Sequence, residues 1–118
     1  MADPARSILY VMDPMTRVLV DKDTTFAFQL EGQRRGWTQW YCDPKDMFVE
    51  RGVPHATVRR VTVQRADPHF QLHEARRVPL ERFDAVLMRK DPPFDMAYFF
   101  ATHILGLVDA RRTFVMNS

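Results

Sequence analysis

Glycine is scarce in this chain, four in 118 residues, and cysteine scarcer, with one. Gly32, Gly36, Gly52 and Gly106 form neither G-x-G-x-x-G nor the P-loop spacing, so the chain lacks a backbone loop of the kind that cradles phosphates. Nothing in it is expected to hold ATP by itself. A single thiol, Cys42, excludes an internal disulfide and a cysteine-rich metal site, and among strand residues it reads as a small buried hydrophobe. No apolar run approaches the roughly 20 residues needed to cross a bilayer, and Met1-Ala2-Asp3-Pro4 has no signal-peptide core. A cytoplasmic protein with no membrane partner is the expectation. An excess of one charge is also missing: 17 basic residues face 15 acidic ones, for a net charge of +2. The pairs Arg34-Arg35, Arg59-Arg60, Arg76-Arg77 and Arg111-Arg112 are dispersed among acids and read as solvated faces, which argues against nucleic acid. His69 and His73 are four apart, but on a strand that spacing separates them by about 13 Å, so no metal is expected.

What is present is enough for one domain over residues 1–118, a length at which about two-thirds of the extended surface is buried on folding. Ser7-Ile8-Leu9-Tyr10-Val11-Met12 is a near-continuous apolar run ending at Asp13-Pro14, the pattern of a strand covered on both faces. A loop from Met15 to Lys22 leads to Asp23-Thr24-Thr25, whose side-chain oxygens suit a helix start. Phe26, Leu30 and Gln33, with Ala27, set the helical period, and Gly36 the stop. A short strand over Thr38–Cys42 completes a parallel crossover. The middle differs in kind. It reads as a helical turn at 43–46, a hairpin of Met47–Glu50 and Val53 around Arg51-Gly52, and strands over Ala56–Gln64 and Phe70–Glu74, all antiparallel additions. A turn at Leu80–Phe83, a buried strand Ala85–Met88, a helix Met96–Val108 and a strand Thr113–Met116 follow. That helix is expected to be apolar at Tyr98, Phe99, Ile104, Leu105 and Val108. The Phe99-Phe100 pair reads as core or subunit contact. The fold class is α/β, a mostly parallel sheet flanked by helices with an antiparallel hairpin insertion in the middle.

In such sheets ligands bind outside the carboxyl ends of the strands. Two loops qualify. In the second, Arg89, Lys90, Asp91 and Asp95 surround two prolines, which stiffen the segment. One reading is recognition of a small zwitterion, with Arg89 on a carboxylate and Asp91 or Asp95 on an ammonium. The other is that Asp95 caps the next helix and Arg89 pairs with Asp91. In the first loop, Asp13 caps or accepts from backbone, while Lys22, Thr24 and Thr25 stand at a helix N-terminus that favours anions. Capping plus a solvated lysine is the alternative there.

Several of these pieces resemble the start of bacterial glutathione synthetases: Val11-Met12-Asp13-Pro14, Lys22-Asp23-Thr24-Thr25-Phe26-Ala27, Glu31-Gly32-Gln33-Arg34-Arg35-Gly36, and above all Leu87-Met88-Arg89-Lys90-Asp91-Pro92-Pro93-Phe94-Asp95. Residues 50–79 do not contribute to the match, whereas Val115-Met116-Asn117-Ser118 is similar to the family's strand into its next domain. The resemblance implies a Rossmann-like pre-ATP-grasp domain of a ligase that joins γ-glutamylcysteine to glycine. In such an enzyme ATP activates the dipeptide carboxylate as an acyl phosphate, and Mg²⁺ neutralises the phosphates. It implies that the nucleotide and metal residues lie elsewhere, that this piece does not catalyse alone, and that it contributes subunit contacts in a homo-oligomer. Asp13, Lys22, Thr24, Thr25, Arg89, Lys90 and Asp91 become the candidates for the peptide-substrate side. The alternatives are an oligomerisation module and a free-standing small-anion-binding domain.

Overall fold

A computed structural model describes residues 6–117; the readings at Met1–Pro4 and Ser118 lie outside the described residues. Strand β1 (Ser7–Met12) is the centre of the sheet, paired in parallel with β2 (Thr38–Cys42) on one side and β6 (Ala85–Arg89) on the other. Strand β7 (Phe114–Asn117) extends β6 in parallel. Side chains alternate across a strand, so Leu9 and Val11 enter one core with Val86 and Met88, while Ile8, Tyr10 and Met12 enter a second with Phe26. Five of the six β1 residues are buried, which is why the strand reads as an unbroken apolar run.

Helix α1 (Thr24–Arg34) covers one face and α2 (Met96–Leu105) the other. Both begin with an aspartate accepting from the backbone three residues on: Asp23 from Phe26 N at 2.9 Å, Asp95 from Tyr98 N at 2.9 Å. Between α1 and the sheet runs a buried polar chain. The Tyr10 hydroxyl donates to Gln39 Oε1 at 2.5 Å, and Gln39 Nε2 donates to the Gln29 carbonyl at 2.7 Å.

The antiparallel part consists of β3 (Met47–Glu50), β4 (Val53–Val63) and β5 (Phe70–Pro79). Strands β2 and β3 lie end to end along one edge of β4, separated by the 3-10 turn Pro44–Asp46, and β5 lies along the opposite edge. The β3–β4 turn has positive φ at both central residues, Arg51 (53°) and Gly52 (77°), as a two-residue hairpin requires. A further 3-10 turn, Leu80–Arg82, returns the chain to the core.

Several boundaries and faces differ from expectation. Strand β5 runs to Pro79 rather than Glu74, because Ala75 to Pro79 pair with β4 while remaining largely exposed, so no apolar alternation announces them. Strand β4 starts at Val53 and β7 one residue later than expected, at Phe114; Thr113 is instead buried, its hydroxyl donating to the Phe83 carbonyl at 2.8 Å. Helix α2 ends at Leu105, not Val108, where Gly106 interrupts it. Ala27 and Phe99 face solvent rather than the core, and the inner face of α1 is Thr25, Phe26, Gln29 and Gly32. Arg34 and Arg35 both bond Glu31, holding its carboxyl at about 2. Cys42 is buried among apolar neighbours, which pushes its thiol pKa up.

Candidate functional site

The order β2-β1-β6-β7 sets the site. The chain leaves β1 to reach β2 on one side and later occupies β6 on the other, so the connections after β1 and β6 diverge and leave a crevice at the carboxyl ends. A cleft of about 570 Å³ opens there. Its walls are the segment after β1, the first turn of α1, and residues 89–93. All seven residues named from the sequence, Asp13, Lys22, Thr24, Thr25, Arg89, Lys90 and Asp91, line it, together with Arg17 and Asp23.

Within the cleft the charges are already ordered. Lys90 Nζ lies 2.9 Å from Asp13 Oδ1, with both side chains more than four-fifths shielded from water. The other Asp13 oxygen accepts from the Asp91 amide at 3.0 Å, and Lys90 Nζ also donates to the carbonyls of Asp91 (2.6 Å) and Pro93 (3.3 Å). One ion pair therefore clasps the two loops together, and the Pro92-Pro93 segment is held from inside by the lysine. Because the pair is shielded, its Coulomb attraction exceeds that of a surface pair, and removing one partner would strand the other. Arg89, the last residue of β6, donates from Nε to the Thr25 hydroxyl at 3.1 Å and so ties β6 to the first turn of α1. Thr25 is buried, whereas Lys22, Thr24 and Asp91 are exposed at the mouth.

With Asp13 paired to Lys90 and Asp23 engaged as the helix cap, the lining also carries the cations Arg17, Lys22 and Arg89, the N-terminus of α1 and the acid Asp91. This balance favours a carboxylate or another small anion, with Asp91 placed for a cationic group. Asp95, the remaining candidate for an ammonium group, caps α2 and lies outside the cleft lining.

Sequence reasoning passed over two supports. His69, in the connection between β4 and β5, donates from Nε2 to the Met15 carbonyl at 2.8 Å and packs edge-on against Phe26, bracing the turn Met15–Arg17 that carries Arg17. Gln29 lies fully buried with its Nε2 3.7 Å from the sulfurs of both Met12 and Met15. Neither has a local sequence signal, since each acts across 14 or more residues.

A two-faced α/β domain with a charged cleft where the strand order reverses is a Rossmann-like domain with a candidate ligand site. The family described as prokaryotic glutathione synthetase, N-terminal domain, matches residues 7–118, and the chain belongs to that family. Over 108 residues it is 42% identical to a glutathione synthetase of Yersinia pestis, and over 109 residues 39% identical to one of Vibrio vulnificus (strain YJ016). A glutathione synthetase of Escherichia coli O127:H6 is 37% identical over 108 residues. Each alignment covers 91% of this chain and 34% of the relative, so the chain spans about a third of the length of the curated relatives it matches.

Proposed function

We propose that this chain forms the peptide-substrate wall of an ATP-dependent ligase that joins γ-glutamylcysteine to glycine. The observation that carries the reading is the convergence of both post-strand loops on one cleft whose lining gathers Arg17, Lys22 and Arg89 at the N-terminus of α1. In it, Arg89, oriented by Thr25, and Lys22 at the mouth receive a carboxylate of the dipeptide, and Thr24 adds a hydroxyl at the helix N-terminus. Asp91 receives the ammonium. Asp13 and Lys90 hold the loop in place, so little order has to be created on binding.

Mg²⁺ does not fit these residues. Among the described residues no group of three or more His, Cys, Asp or Glu side chains is placed to hold a metal, and the Asp13 carboxylate is taken by Lys90 and an amide. We assign ATP, Mg²⁺ and glycine to the part of the relatives' length that this chain does not match, and expect no ATP turnover from the 118 residues alone. The protein works in the cytoplasm as a homo-oligomer in this reading; no helix among the described residues is long and apolar enough to cross a membrane.

The test is Arg89→Ala in the full-length parent protein. The Michaelis constant for γ-glutamylcysteine is expected to rise about tenfold, the loss of one charge-assisted contact, with that for ATP unchanged. An unchanged constant for the dipeptide overturns the assignment.

A further inference from the structure

The segment between β1 and α1, residues 13–23, supplies more of the cleft lining than either other wall, Arg17 and Lys22 included. Its one regular piece is the turn Met15–Arg17. Both ends are tied: Asp13 to Lys90 and the Asp91 amide, Asp23 to the first turn of α1. The middle is tied by the connection between β4 and β5, residues 64–69, which is itself closed. There the Gln64 amide donates to the His69 carbonyl at 2.9 Å and Gln64 Nε2 to the Pro68 carbonyl at 2.8 Å. The His69 ring meets Phe26 and Phe70 edge-on, with ring centres 5.7 and 4.8 Å apart, so packing sets its direction. A carbonyl only accepts, so the 2.8 Å contact with Met15 O puts a proton on His69 Nε2. That same oxygen accepts the Val18 amide at 3.2 Å, the bond that closes the turn around Arg17. From the same connection Arg65 lies 3.7 Å from Asp21, an exposed pair that adds little.

We infer that Arg17 is a further binding residue of the cleft, for a second carboxylate of the ligand, and that His69 is its positioning residue. The inference rests on the reading of the cleft as the site of γ-glutamylcysteine. A dipeptide joined through a side-chain carboxyl keeps two carboxylates and one ammonium. Arg89 with Lys22, and Asp91, answer one carboxylate and the ammonium. Arg17 is an exposed cation of the same lining, and among the described residues no carboxylate is paired with it. Its guanidinium can meet a carboxylate through two parallel hydrogen bonds. An exposed arginine gives up side-chain freedom on binding, and a backbone already fixed limits that cost to the side chain. His69 supplies this fixity through the Met15 carbonyl, without touching the ligand.

Steady-state kinetics of the full-length parent protein test this. Arg17→Ala is expected to raise the Michaelis constant for γ-glutamylcysteine about tenfold, with that for ATP unchanged. His69→Phe keeps a ring between Phe26 and Phe70 but removes the donor, and is expected to raise the same constant about threefold, the worth of one neutral hydrogen bond. His69→Gln, which keeps an N–H, is expected to recover most of that loss. In an Arg17→Ala background His69→Phe is expected to add nothing, because it acts through Arg17. An unchanged dipeptide constant in Arg17→Ala, with Arg89→Ala still raising it, overturns the inference and leaves the cleft reading standing. No change in either variant overturns both. A His69→Phe effect that persists in full without Arg17 overturns the positioning role.

Discussion

The two helices are built alike and finished differently. Each follows a parallel strand, starts from an aspartate cap, and meets the sheet through a small residue, Gly32 in α1 and Ala101 in α2. Outside, α1 carries Glu31, Arg34 and Arg35 in an ion-paired cluster, whereas α2 carries methionine, phenylalanine and leucine. The difference separates two tasks. Helix α1 spends its polar first turn on the cleft and leaves the rest to solvent; α2 has a second face that water does not satisfy.

Substituting the small contact residue breaks the comparison most severely. A Cβ at Gly32 would come within 2.5 Å of Gln39 Oε1 and 2.9 Å of the Trp37 ring. Gly32→Val is therefore expected to destabilise the chain by about 3 kcal/mol, read by urea unfolding, through overpacking that also disturbs the Tyr10–Gln39–Gln29 chain. An effect below 1 kcal/mol would show that α1 can lift off β2 freely.

Next in size are the caps. Asp23→Ala and Asp95→Ala are each expected to cost about 1 kcal/mol. They should part in binding: in the parent enzyme Asp23→Ala raises the Michaelis constant for γ-glutamylcysteine, since it lines the cleft, and Asp95→Ala does not. Equal effects on that constant would erase the functional distinction between the helices.

The smallest effect belongs to the solvated face of α1. Glu31 is held at about 2 by its hydrogen bonds from Arg34 and Arg35, below its ordinary value of 4.5. A depressed folded value stabilises above the unfolded one, and the contribution is lost as pH falls from 4.5 towards 2. The Glu31 side chain is 43% exposed and both arginines more so, so solvent and salt screen the cluster strongly. Glu31→Gln is expected to flatten the melting temperature slightly across that window at low salt, with no difference at 1 M salt. Persistence at high salt would contradict a surface pair.

Much of this was readable in one dimension, and the reasons are local. Strands β1 and β2 and the start of α2 were placed to the residue, and the start of α1 to within Asp23-Thr24-Thr25, because a proline stops a ladder and an aspartate caps a helix through its own neighbours. The extension of β5 through Arg76 and Arg77 was not readable, since those residues pair by backbone while their side chains stay in water. Phe99 was left open between core and subunit contact for the converse reason. Hydrophobicity alone does not say which of two apolar arcs faces the sheet.

The stiff segment from Arg89 to Asp95 shows where the division falls. Its composition and its likeness to one family were fixed by residue order, and they identify the family without coordinates. That Lys90 bonds Asp13 rather than standing ready for a ligand, and that Arg89 reaches Thr25, was decided only when β6 came to lie beside β1. These partners are separated by 64 to 78 residues, and only the sheet's strand order brings them within hydrogen-bond distance.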